Sequence, residues 1–406
     1  MMELIKGGIC AAKGFKANGV HCGIRKNRTK RDLSLIYSEK RAAAAAVYTT
    51  NLVKGAPLTV TKKHIADGYA QAVICNSGNA NTCNANGVEI AEQMSECLAA
   101  SLGIKADDVV VASTGVIGQP LDIAPIAKGV PSLVSGLSFD GSNAAAEGIM
   151  TTDTKVKEIA FRFNIGGKEC TIGGIAKGSG MIHPNMATML VFLTSDVAIK
   201  PEILQEVLSE DVKDSFNMVS VDGDTSTNDM CCIMANGLAG NTVIDSFDSE
   251  DCKIFREALF AVTSYLCRCI ARDGEGATRL MEVTVSGAST KDTAKTVAKS
   301  VACSSLLKAA IFGADANWGR VLCAIGYSGA DLDVSKVGVS FKSKAGEIEV
   351  CRNGAGVEFS EETAKEILLQ EEIQILITLG DGDAFATAWG CDLTYDYVKI
   401  NGDYRT

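Results

Sequence analysis

Between Lys177 and Leu190 the chain runs Lys-Gly-Ser-Gly-Met-Ile-His-Pro-Asn-Met-Ala-Thr-Met-Leu, and the residue with the most chemistry to offer there is Thr188. Gly178, Gly180 and Pro184 forbid regular structure in the first half of the string. The apolar run Met189-Leu190-Val191-Phe192-Leu193 that follows has the length and composition of a buried strand. Thr188 therefore stands where a loop meets the core. A threonine in that place ordinarily caps a turn or pairs with nearby backbone. The alternative is that the chain cuts its own Ala187–Thr188 peptide bond, leaving the Thr188 hydroxyl as a nucleophile and the freed α-amine as its base. An α-amine titrates near ~8 and takes a hydroxyl proton at neutral pH without any histidine. The chain has only 3 histidines.

Other residues could serve such a nucleophile. Val109-Val110-Val111-Ala112 reads as a strand that delivers Ser113-Thr114-Gly115. A threonine hydroxyl beside a glycine N–H offers two donors that can converge on an oxyanion, although the same string also makes a capped tight turn. Lys177, between Ala176 and Gly178, suits a substrate carboxylate better than open solvent. Glu275 lies between Gly274 and Gly276 with little local packing, so its carboxylate either pairs a substrate amine or ends an exposed turn. His183 invites a Ser-His-Asp arrangement, but an α-amine base makes one unnecessary. Ser305-x-x-Lys308 has the spacing of penicillin-recognising serine enzymes and lacks their partner strings, so we read it as coincidence. Asp222 to Asp229 mimics a calcium loop and then fails, with Thr227 where glycine is needed and Ile233 where a bidentate glutamate is needed; it reads as a polar turn supporting the site. Cys231-Cys232 and Cys267-x-Cys269 lack a second pair at zinc spacing and read as small buried hydrophobes.

The elements that would position these groups alternate between strands and helices. Asp32–Tyr37 and Ala42–Tyr48 look like paired strands, Val73-Ile74-Cys75 is a short buried strand, and Val88–Leu102 has a helical apolar face. Between the last two lies Asn76 to Gly87, rich in asparagine and glycine. This loop is either a compact turn or the frame of a site at the strand's end. Ile159–Phe163 and Cys170–Ile175 suggest a hairpin around Gly166-Gly167. Helices are expected over Pro201–Phe216, Asp248–Ala271, Thr293–Phe312 and the small-residue stretch Ala384–Gly390.

The unbroken string around Ala187-Thr188-Met189-Leu190 resembles the cleavage motif of the ornithine acetyltransferases, also called bifunctional glutamate N-acetyltransferases, and the likeness extends from Gly7 to Thr406. That resemblance implies an α/β, two-domain, N-terminal-nucleophile-like fold of α/β/β/α layers. It implies self-cleavage into residues 1–187 and 188–406, with a first structural domain straddling the cut and a smaller second one towards the C-terminus. Thr188 would carry the acetyl group from N2-acetylornithine to glutamate, with Thr114 and Gly115 as the oxyanion hole. Thr151, Lys177, Glu275, Asn401 and Thr406 would join Thr188 in binding substrate. No cofactor or metal is implied. Acetyl-CoA stays open as a co-substrate, and the two cleaved chains would associate as α2β2.

Composition sets the outer limits. A net charge of −10 without a basic run argues against nucleic-acid or anionic-membrane partners. Met1 to Gly8 carries Glu3 and Lys6 where a secretory signal needs an apolar stretch, and no apolar run approaches a membrane span, so a cytoplasmic protein with reduced thiols is expected. Two rivals use the same residues. An autocleaved aminopeptidase or amidase would admit water, and a non-catalytic amino-acid-binding protein would never cut.

Overall fold

The computed structural model describes residues 2–183 and 189–403. Two sheets organise them. The first uses β1 (Glu3–Ile5), β2 (Phe15–Val20), β3 (Leu33–Tyr48), β4 (Tyr69–Asn76), β5 (Val109–Ser113), β6 (Lys157–Ile165), β7 (Lys168–Lys177) and β8 (Leu190–Ser195). The short β9 (Val219–Ser220) belongs to the second sheet, and β10 (Met230–Ala235) returns to the first. The strand order is β1-β6-β7-β8-β10-β3-β4-β5, with β2 pairing β3. The second sheet adds β11 (Leu280–Ala288), β12 (Gly338–Ser343), β13 (Gly346–Arg352), β14 (Ala355–Gly356), β15 (Glu372–Thr378) and β16 (Ala384–Cys391), in the order β14-β13-β12-β15-β11-β16-β9. This is the expected α/β class with layered sheets.

The central strands are apolar throughout because both of their faces are covered. Val191, Leu193, Cys231 and Ile233 enter the core that holds helix Glu250–Arg272, whereas Leu190, Phe192, Met230 and Cys232 enter the core on the opposite face with Ala145 and Ile149. Helix Glu250–Arg272 contacts β6 and β7 of the first sheet and β11 and β16 of the second, so it is the layer between them. Helix Lys291–Cys303 covers the other face of β11 and β16. Ser249 caps the long helix by accepting from Cys252 N at 3.2 Å.

Three expectations from the sequence are corrected. Asp32–Tyr37 and Ala42–Tyr48 do not pair with each other; they are the two ends of the single strand β3, interrupted by a register shift rather than a turn. Residues 384–390 are strand β16 and not a helix, since pairing with β11 and β9 outweighs the helical preference of alanine. The helix expected over 293–312 is two helices, Lys291–Cys303 and Ser305–Phe312, because Ser304 leaves helical geometry and caps the second by accepting from Leu307 N at 3.3 Å.

Two connections matter for function. The chain from β7 to β8 passes through Gly178 to Met189, and the chain from β9 to β10 crosses from one sheet to the other through Val221 to Asp229. The first stays within one sheet and carries the glycine-rich string singled out in the sequence, and the second is the Asp222–Asp229 loop.

Candidate functional site

Strand β5 ends at Ser113, and its last hydrogen-bonded register places Asn76 of β4 beside it. The turn that follows is held by backbone: Thr114 N donates to Asn76 O at 2.9 Å, Ala80 N to Val116 O at 2.8 Å and Gly118 N to Thr82 O at 3.0 Å. Gly115 has φ 124°, and a Cβ there would fall 2.8 Å from Gly78 C and 2.9 Å from Asn79 N. Only glycine fits without moving the neighbouring backbone. The asparagine-rich loop is therefore a frame and not merely a turn. Asn76 Oδ1 accepts from Asn79 N at 3.0 Å, and its amide donates to Ser113 Oγ at 2.6 Å.

From the opposite side Asn228, 5% exposed, ties this frame to the sheet crossing. Its amide donates to Ala80 O at 2.5 Å and Ser113 O at 3.0 Å, while its oxygen accepts from Thr82 Oγ1 at 2.6 Å. Asp222, earlier in the same crossing, accepts from Met181 N at 2.6 Å and Ile182 N at 2.9 Å and so fixes the segment after Gly180. Thr225 Oγ1 donates to His183 O at 2.8 Å. The Asp222–Asp229 loop thus supports the site, as read from its composition. Among the described residues no group of three or more His, Cys, Asp or Glu could hold a metal ion.

Lys177 closes β7 with its side chain buried, and its ammonium donates to Thr114 Oγ1 at 3.4 Å. Burial pushes its pKa below the ordinary lysine range, with the Asp153 carboxylate opposing the shift. Glu275 stands across the cleft. Its N–H donates to Ser179 O at 2.8 Å, and its carboxylate lies over Gly180 where any side chain would collide with it. Asn401, on the C-terminal helix Tyr395–Asp403, donates to Glu275 Oε2 at 2.8 Å.

Thr114, Gly115, Thr151, Lys177, Glu275 and Asn401 line one cleft of about 180 Å³, with Thr152, Met181, Ser226, Thr227 and Asn228 completing its wall. The Ala187–Thr188 bond and Thr406 lie outside the described residues. Sequence reading missed Thr152 and the individual roles of Ser226 to Asn228; the only signal was the density of hydroxyl and amide residues in their loops. A wider cavity of about 800 Å³ behind the Gly274–Gly276 turn contains none of the expected site residues.

Residues set aside from the sequence have structural partners. His183 Nδ1 lies 3.1 Å from Ser220 Oγ, and burial lowers its pKa. Lys308 is buried and donates to the Val221 carbonyl, so it braces the sheet crossing. Cys231, Cys232 and Cys267 are buried as expected, and desolvation pushes the Cys232 thiol up to about 12. Among the described residues no helix is long and apolar enough to cross a membrane.

Comparison with known proteins bears on this geometry. The ArgJ family model matches residues 16–406. The arginine biosynthesis bifunctional protein ArgJ of Caldanaerobacter subterraneus subsp. tengcongensis is 50% identical over 406 residues, all of both chains. ArgJ 1 of Clostridium acetobutylicum is 52% identical over 393 residues, 97% of this chain and 96% of that one. Among solved structures, the arginine biosynthesis bifunctional protein argJ of Bacillus halodurans is 44% identical, with a TM-score of 0.50 over 52% of this chain and 98% of that chain. With a family match over nearly its whole length and relatives at half identity end to end, the chain belongs to the ArgJ family, the acetyltransferases of arginine biosynthesis.

Proposed function

We propose that this chain transfers the acetyl group of N2-acetylornithine to glutamate through an acetyl-enzyme on Thr188. The observation that carries the reading is the convergence of Thr114, Gly115, Lys177 and Glu275 on one cleft, with oxyanion donors, a cation and a carboxylate facing the same space. The Thr188 hydroxyl attacks the acetyl carbonyl carbon while its α-amine takes the proton. Thr114 Oγ1 and the Gly115 N–H stabilise the oxyanion, and collapse of the tetrahedral species expels ornithine, whose α-nitrogen receives the proton. Glutamate then occupies the same cleft, and its α-amine attacks the threonine ester to give N-acetylglutamate and free Thr188. Lys177 holds the α-carboxylate that both amino acids share. Glu275 pairs the amine of ornithine, Thr151 and Asn401 complete the contacts, and Thr406 adds a further one. Excluding water keeps the ester from hydrolysing.

The nucleophile requires self-cleavage into residues 1–187 and 188–406, which associate as α2β2 in the cytoplasm. The division into two chains is consistent with the solved Bacillus halodurans chain, nearly all of which matches only 52% of the present chain. Acetyl-CoA serves as a second donor to the same threonine. The mass of the denatured purified protein tests the scheme. Two species ending at Ala187 and beginning at Thr188 are expected, and Thr188→Ala should give one uncut species without transfer. Uncut wild-type protein with full activity would exclude the α-amine base. Acetate in place of N-acetylglutamate would make the enzyme a hydrolase.

A further inference from the structure

Beneath the cleft lies a buried cation that the transfer reaction does not itself use. Lys157, on β6, has 1% of its side chain exposed, and its ammonium lies 2.6 Å from Asp153 Oδ1 and 2.5 Å from Asp273 Oδ2. Both aspartates also accept hydrogen bonds from the backbone. Asp153 accepts from Thr151 N at 3.0 Å and from Gly178 N at 2.7 Å. Asp273 accepts from Thr154 N at 3.1 Å and from Thr154 Oγ1, and the next residues in the chain are Gly274 and Glu275. Three segments of the cleft wall therefore meet on one ammonium group: the turn bearing Thr151, the end of β7 bearing Lys177, and the turn bearing Glu275.

The charges also balance. Lys177 and Lys157 are both cations near Asp153, and Asp273 is the second anion, so the buried quartet is neutral as a whole. The groups that face Lys177 are Asp153, Lys157, Asp229 and Cys75. Burial raises the Asp153 carboxyl, but Lys157 and Lys177 outweigh it and hold it well below the usual carboxylate range. For Lys157 burial acts downward, and the two aspartates more than reverse it. A lone buried ion pair contributes little to stability on average, whereas a set that fixes one arrangement of several loops contributes geometry.

We propose that Lys157, Asp153 and Asp273 form a positioning triad for acetyl transfer, setting the distance between the carboxylate-binding Lys177 and the amine-binding Glu275, with Asp153 as the carboxylate that faces Lys177. The assignment rests on the proposed function. None of the three lines the cleft.

Asp153→Asn tests it, because it keeps the side chain's shape and removes its charge. Without that anion Lys177 loses its proton at lower pH. The KM for both N-acetylornithine and glutamate should then climb with pH along a limb displaced to lower pH than in wild type, while kcat stays within about threefold. A general loosening of the fold would not move the pH limb. The paired change Lys157→Met with Asp273→Asn removes one charge of each sign and leaves Asp153 with Lys177. It should raise the KM for N-acetylornithine at neutral pH and, because Lys157 works against the charge on Lys177, shift the limb upward, the opposite of Asp153→Asn. Wild-type KM values in the paired variant, or an unmoved limb in Asp153→Asn, would overturn the triad. Calorimetric titration of wild type with N-acetylornithine separates this failure from a failure of the function. No binding there would overturn both, whereas wild-type binding with unchanged variants overturns the triad alone.

Discussion

The two walls of the cleft are built on opposite principles. The wall at Thr114 and Gly115 is held by main chain, with three backbone hydrogen bonds to the asparagine loop and a glycine at positive φ. The wall at Glu275 and Asn401 has one main-chain bond to the loop after β7, Glu275 N to Ser179 O, and otherwise relies on side chains: Asn401 to Glu275, Thr394 Oγ1 to Gly276 O at 2.7 Å, and Tyr397 OH to Asp222 Oδ2 at 3.3 Å. Backbone amides locked in a sheet extension cannot reorient, which suits donors that must already point at a developing oxyanion. Side-chain tethers on a C-terminal helix yield at lower cost, which suits a wall that accommodates ornithine and glutamate in turn. In the proposed mechanism the first wall sets rate and the second sets which amino acid binds.

Breaking the first wall should have the largest effect. Gly115→Val places a branched side chain against Gly78 and Asn79 backbone at a φ that valine avoids. Losing a donor of this kind is expected to lower kcat by about 10²–10³, with KM little changed, in steady-state assays of N-acetylglutamate formation. A kcat close to wild type would move the oxyanion site elsewhere. The second wall should respond in KM instead. Glu275→Gln removes the charge facing the ornithine amine, so KM for N-acetylornithine should rise about 10- to 100-fold, the range for a charge-assisted hydrogen bond. Glutamate carries a carboxylate at that end, so its KM should change far less. Equal effects on both substrates would dissolve the distinction between the walls. Asn401→Ala, which deletes one exposed hydrogen bond to Glu275, should cost about 1 kcal/mol, or roughly fivefold in KM for N-acetylornithine. Direct titration of the variant with N-acetylornithine would check it.

The difference between the walls also governs what could be read in advance. A strand of valines delivers Thr114 and Gly115, which is a weak local signal, and their oxyanion role came from the family likeness. Glu275 between two glycines gave a signal of the same kind. Asn401 had no local signal and came only through family likeness, since nothing in a polar tail says that it folds back over a carboxylate from 126 residues earlier. Asn228 shows the limit most clearly. Its loop was read as support, yet its bridge between Ala80 and Ser113 depends on strands β4, β5 and β10 lying in one sheet. The errors over residues 32–48 and 384–390 have the same origin, because local pattern does not say whether a polar patch is a turn or the exposed middle of a long strand, nor whether small residues pack as helix or sheet.

The amino-acid sequence by itself determined the α/β class, the apolar strands covered on both faces, the helix of residues 250–272 and the family. The strands and the helix follow from local periodicity, and the α/β class and the family from the likeness carried by a long unbroken string. Only the tertiary structure decided that Thr151, Lys177 and Glu275, spread across more than a hundred residues of chain, meet over one buried ammonium. Charges cost too much to bury singly, so Lys157 and Asp153, four residues apart, had to be joined by Asp273, 116 residues further on, before any of them could leave water. That condition is a property of the fold and leaves no mark at any one position of the chain.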